Sequence, residues 1–132
     1  MKVTAVNLVI AACAASAGAH VGLVPEHLRE APQLGIAFIL AAVLLLAAGA
    51  ALMIHPEDRR AASVAALLLA GLLASWGTSR ITGIPFIQPR PESVDLLGLA
   101  TKLVEALGLA CALWLSQPLG GHRSPSIQEV PR

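Results

Sequence analysis

The chain has 132 residues, 56% of them hydrophobic and 13% charged, with a formal net charge of +1. At a mean hydropathy of +0.74 it carries more apolar side chain than a soluble domain of this length tolerates on its surface, so lipid is the expected solvent. The nine Lys and Arg residues are scattered singly or in pairs, which leaves no basic footprint for nucleic acid and excludes that class of partner.

Val3 to Leu23 is apolar except for Thr4, Asn7, Ser16 and His20. At about 1.5 Å per residue, such a run crosses a hydrocarbon core of about 30 Å as a helix. Lys2, the apolar stretch and Ala15-Ser16-Ala17 or Ala17-Gly18-Ala19 also fit a secretory signal with its cleavage site, but Asn7 weakens the apolar region and the run continues through Val24. The segment reads as a retained span. Gly18 and Gly22 form a GxxxG pair within it, the pattern of a close helix approach. Pro25 and Pro32 bracket an expected short polar turn, and Leu34 to Ile54 is a second span without charge.

His55-Pro56-Glu57-Asp58-Arg59-Arg60 is a tight connection whose proline and acidic pair suit the opening of the next helix. A third span follows over Ala61 to Ser79. Pro85, Pro89 and Pro91 then stiffen a loop, and Val94 to Leu115 is the fourth span. Residues 117–132 read as a disordered tail. The expected fold is therefore an all-α membrane protein, a four-helix transmembrane bundle of up-down topology with short loops, its spans about 3–23, 34–54, 61–79 and 94–115.

An even number of spans puts both termini on one side. Lys2, Arg59, Arg60, Arg123 and Arg132 fall on that side against Arg29, Arg80 and Arg90 on the other, so the positive-inside rule places the termini in the cytoplasm. Cys13 and Cys111 lie inside spans with no CxxC partner, which argues against disulfide exchange. Trp114, near the end of span four, reads as an interface anchor.

The polar residues within the spans carry the functional question. Asp95, Gly98, Lys102 and Glu105 fall within a stripe of about 80° on a helix, and such a stripe must turn inward, because a charge costs about 2.5–3.5 kcal/mol at the centre of a membrane span. Ser75, Ser79 and Thr82 share a face of span three, and Cys13, Ser16 and His20 share one of span one. Three readings follow. His20, Glu26, His27 and Glu30 offer nitrogen and oxygen donors suited to zinc or copper. Lys102, Glu105 and Asp95 can form a proton or substrate relay, although span two offers no polar partner. The third reading is structural: Lys102 neutralises Glu105, Arg80 pairs with Glu92 or Asp95 and stacks on Trp76, and the network fixes helix order.

Templates for phosphate loops, serine nucleophile elbows, HExxH zinc sites and paired thiols are absent from the sequence, so catalysis is not expected. Three segments carry a family resemblance: His20-Val21-Gly22-Leu23-Val24-Pro25-Glu26-His27, Ser79-Arg80-Ile81-Thr82-Gly83-Ile84-Pro85 and Pro91-Glu92-Ser93-Val94, together with Glu105. In these the chain resembles a group of small four-span membrane proteins common in actinobacteria and related bacteria. The likeness implies the topology and marks His20, Glu26, His27, Arg80, Thr82, Gly83, Pro85 and Glu92, but implies no substrate. Small multidrug exporters share the length and span count, yet span one lacks their membrane-embedded Glu. Fluoride channels share them too, yet their glycine-and-arginine motif is missing.

The expectation is thus a small integral membrane protein, a non-enzymatic accessory or scaffold component. An outward cap of His20, Glu26, His27, Glu30, Thr82 and Glu92 would stand over a buried network of Lys102, Glu105, Asp95, Arg80 and Ser79. Its partners would be the bilayer and either another membrane protein or a second copy. The alternative is binding or transport of a small solute, a proton or a transition metal through Lys102–Glu105 and His20/His27.

Overall fold

The computed structural model describes residues 1–83, 91 and 93–117. Expectations for Pro85, Pro89, Arg90 and Glu92, and for the tail from residue 118 with Arg123 and Arg132, lie outside the described residues. Four helices account for most of the rest: α1 (Lys2–Glu30), α2 (Pro32–Ile54), α3 (Arg59–Ile81) and α4 (Leu96–Ser116). Each is long and apolar enough to cross a membrane. The described residues contain no strand.

One boundary departs from expectation. The segment Pro25 to Glu30 is helix, not turn, and α1 runs through Pro25. Proline withholds only one backbone donor, the one owed to Val21, and the helix continues because the flanking residues keep their own bonds. The whole connection to α2 is then Ala31, whose N–H donates to the His27 carbonyl at 2.8 Å and whose carbonyl accepts from Leu34 and Gly35. Pro32 follows at the first position of α2, where a missing N–H leaves no helical bond unmade. So sharp a corner brings the two helices together at once. A side chain on Gly35 would stand 2.7 Å from the Leu28 side chain and 2.9 Å from its backbone nitrogen, which only glycine avoids.

The starts of α3 and α4 are capped as helix chemistry requires. Asp58 accepts from the Arg60 N–H at 2.9 Å and Asp95 from the Gly98 N–H at 2.6 Å. Asp95 therefore sits at the end of the bundle as a cap and not within the inward stripe of α4. Around the bundle each helix packs on its sequence neighbours and α4 closes back on α1, with the α1–α2 contact the most extensive and α1 and α3 lying on a diagonal. Two ends result. Lys2, the α2–α3 connection and the C-terminus of α4 share the terminal end, where Lys2 reaches Glu57 at 3.4 Å. Ala31, Arg80 and Asp95 share the corner end.

The core is made of small residues. Val9, Cys13, Leu45, Leu52 and Leu69 are fully buried, and alanines 12, 17, 42, 48, 61, 62, 65, 66 and 112 fill the space between them. Large apolar side chains instead cover the outside: Leu67 is 74% exposed and Leu103 65%, a distribution that suits lipid and not water. Gly18 and Gly22 face outward with open space where a side chain would stand, so the GxxxG pair takes no part in packing within the bundle.

The tightest crossing is at Gly108 of α4, where an added Cβ would meet the Ala12 Cβ at 2.5 Å and Leu69 Cδ1 at 3.2 Å. Gly108→Ala is expected to destabilise the bundle by about 1–3 kcal/mol through overpacking. Gly71→Ala, with nothing within 4 Å, should leave it unchanged or raise it slightly. Thermal unfolding followed by circular dichroism in detergent checks the opposite signs.

Candidate functional site

Glu105 lies at the middle of α4, about 14 Å along the axis from its first turn, and is 0% exposed. Both carboxylate oxygens are satisfied. The Ser16 hydroxyl of α1 donates to Oε1 at 2.6 Å, and the Lys102 ammonium, one turn back on α4, donates to Oε2 at 2.6 Å. Charge-assisted bonds this short are the strong kind, and the i, i+3 spacing lets lysine fold along its own helix to make one. Lys102 is nearly covered, its side chain 11% exposed.

His20, one turn beyond Ser16 on the same face of α1, extends the cluster. Its Nδ1 lies 2.7 Å from the Ser16 carbonyl oxygen and 3.5 Å from the Ser16 Oγ. A carbonyl can only accept, so Nδ1 carries the hydrogen, and Nε2 of the neutral ring holds the lone pair. His27 repeats the arrangement against the Leu23 carbonyl at 2.9 Å. Both rings set their edges against Phe38 of α2, with centroids at 5.2 and 4.7 Å. The two histidines are thus held by the same means, and Phe38 ties them to the second helix.

The network drawn from sequence divides into parts. Lys102 and Glu105 pair as expected, with Ser16 and His20 as partners from α1. Arg80 and Asp95 pair separately at the corner end, at 3.5 Å, and the Arg80 guanidinium lies 5.4 Å from the Trp76 ring centre. Ser79 is buried but donates to the Trp76 carbonyl at 2.8 Å, and Thr82 bonds to the Thr78 and Gly83 carbonyls. Ser75 is exposed and bonds back to Gly71. Of the cap residues, Glu26 and Glu30 are exposed on the last turns of α1, beyond His20. Among the described residues no three His, Cys, Asp or Glu side chains gather as ligands for a metal ion, so His20, Glu26, His27 and Glu30 do not form one donor set. Cys13 and Cys111 are free thiols.

Ser16, Phe38 and Gly108 are the residues that sequence reasoning left out of the site. Ser16 carried a signal, as the one hydroxyl in the middle of α1, on a face with Cys13 and His20. Phe38 and Gly108 carried none that the sequence separates from ordinary packing. Compared with family models, curated proteins and solved structures, the chain finds no match.

Chemically the cluster is a closed ion pair with a hydroxyl bridge between helices. Lys102→Met is expected to lower stability by about 3–5 kcal/mol, since it strands a buried carboxylate. Ser16→Ala should lower it by about 1–3 kcal/mol. The double variant Lys102→Met/Glu105→Gln should regain much of the first loss. Unfolding in mixed micelles measures these variants and Glu105→Gln alone, and simple additivity of the Lys102 and Glu105 losses would refute the coupling.

Proposed function

We propose that this chain is a non-enzymatic accessory or scaffold component of a bacterial plasma membrane, spanning the bilayer four times with its termini in the cytoplasm. The resemblance to small four-span proteins of actinobacteria and related bacteria agrees with this reading. So does the excess of basic residues at the terminal end, where Lys2, Arg59 and Arg60 lie against Arg29 and Arg80 at the corner end.

One observation carries the proposal. The deepest charges, Lys102 and Glu105, are bonded to each other and to a neighbouring helix, and so serve to order the helices instead of lining a path. Exposed polar groups lie on the last turns of α1, which stay packed on the first turns of α2. A helix of 29 residues is about 43 Å long, against about 30 Å of hydrocarbon, so its final turns carry Glu26, His27, Arg29 and Glu30 out to the headgroups or beyond. That projecting end is the surface offered to a membrane-protein partner, or to a second copy.

A second reading, handling of protons or small cations, is favoured by the adjacency of His20, Ser16, Glu105 and Lys102. Liposomes separate the two. Under the scaffold reading, proton flux into liposomes holding the chain matches that of protein-free liposomes, and Glu105→Gln leaves it unchanged. A photoreactive residue at Leu28, 41% exposed on the projecting turns, yields a discrete protein adduct in native membranes. Flux that Glu105→Gln abolishes, with no adduct at Leu28, would replace the scaffold reading by the second.

A further inference from the structure

We propose that Glu105 is a proton-binding site open to the corner end of the bundle alone, reached through His20 and Ser16, and that protonation there frees Lys102 and loosens α1 from α4. The proposal rests on the reading above, in which this cluster holds the two helices together, and adds the means of its regulation.

The surroundings of Glu105 are unequal along the bundle axis. Toward the terminal end, the α1–α4 seam is Ala12 against Gly108, backed by Leu69, Val9 and Ala112, all buried and apolar. Toward the corner end stand His20, 7% exposed, and the Lys102 ammonium, the two polar groups that connect the carboxylate with the headgroup level. Among the described residues these polar groups mark the approach for water.

Among the described residues no other titratable group competes. Span residues 33–54 of α2 and 61–79 of α3 contain none. Arg80, at the end of α3, is engaged with Asp95 at the corner. On α1 the remaining buried candidate is Cys13, which packs toward Gly49 of α2, and on α4 it is Cys111, partly buried two turns below. Lys102, His20 and the Ser16 hydroxyl are therefore the groups that face Glu105.

The hydrogen bonds define the route. A proton from water binds the Nε2 lone pair of His20. Its Nδ1 hydrogen leaves the Ser16 carbonyl, 2.7 Å away, and passes to the Ser16 Oγ, 3.5 Å away, as the Ser16 hydroxyl hydrogen passes to Glu105 Oε1 at 2.6 Å. One proton has moved from water to the carboxyl group. His20 ends neutral as its other tautomer, without a hydrogen to give the Ser16 carbonyl, and Ser16 is again a hydroxyl that now accepts from the acid. Lys102 then stands beside a neutral group. Its four-carbon stem lets the ammonium climb toward the headgroups, and the seam between α1 and α4 loses its ionic member.

The test follows the carboxyl group itself. The chain, with 13C-labelled glutamate and its five other glutamates changed to glutamine, is placed in phosphatidylglycerol–phosphatidylethanolamine liposomes in one orientation, and infrared difference spectra are taken as pH is lowered on one side. The expected result is an isotope-shifted carboxylic acid band that follows pH on the corner side and rises at least about tenfold more slowly in His20→Phe. Glu105→Gln removes the band; should that variant not fold, the isotope shift identifies the single glutamate without it. No acid band over the pH range in which the helices persist, a band that follows pH on the terminal side, or a rise unaltered in His20→Phe would each overturn the proposal. Proton flux, measured separately, decides the scaffold reading whichever way the spectra fall.

Discussion

A carboxylate at the centre of an apolar bundle must find donors within the protein, and every other choice in this fold is compatible with supplying them to Glu105. Lys102 brings the compensating charge from the same helix, and Ser16 brings the hydroxyl from another. Because lipid offers no hydrophobic force to press helices together, packing and polar bonds must set their order. Small residues let the backbones approach, with Ala12 against Gly108 directly beneath the carboxylate, and that approach is what places a side chain as short as serine within 2.6 Å of Oε1. A larger residue at position 108 would push α1 away and leave the oxygen without its donor. The alanine-rich core and the buried charge are thus parts of one solution.

The two ends of the bundle use polar groups differently. At the corner end Arg80, its side chain 13% exposed, pairs with the 56% exposed Asp95 and lies over Trp76, and water or headgroups compete for the carboxylate. At mid-depth nothing competes, and the same chemistry becomes decisive. His20 stands between the regimes: its Nδ1 is committed to its own helix while the ring touches Phe38 of the next, so it joins α1, α2 and the Glu105 cluster.

Much of this was legible from residues alone. Long apolar runs gave four helices at nearly the observed bounds, since hydropathy and proline punctuation act locally. The pairing of Lys102 with Glu105 followed from helical spacing, which one strand of sequence contains in full. Asp58 was legible as a helix opener for the same reason. What the residues did not reveal depends on two helices at once. Ser16 and Glu105 are 89 positions apart, and no periodicity in either run names the other. The turn expected after Pro25 failed because proline's local cost is one hydrogen bond, which a helix held by neighbours on both sides absorbs. Asp95 shares the angular stripe of Lys102 and Glu105, yet capping draws it to the helix end, a competition between side chain and backbone that an angular argument omits.

The single-residue corner at Ala31 bears on how the molecule is made. With α1 and α2 joined so tightly and α2 without charge, the pair is able to form one hairpin before α3 and α4 have followed. Ser16 meets its acceptor only when α4, the fourth of the described helices, has followed. α4 brings carboxylate and ammonium together, already neutralising each other across one turn. Of the four described helices, the one that closes the polar seam is thus the last in sequence.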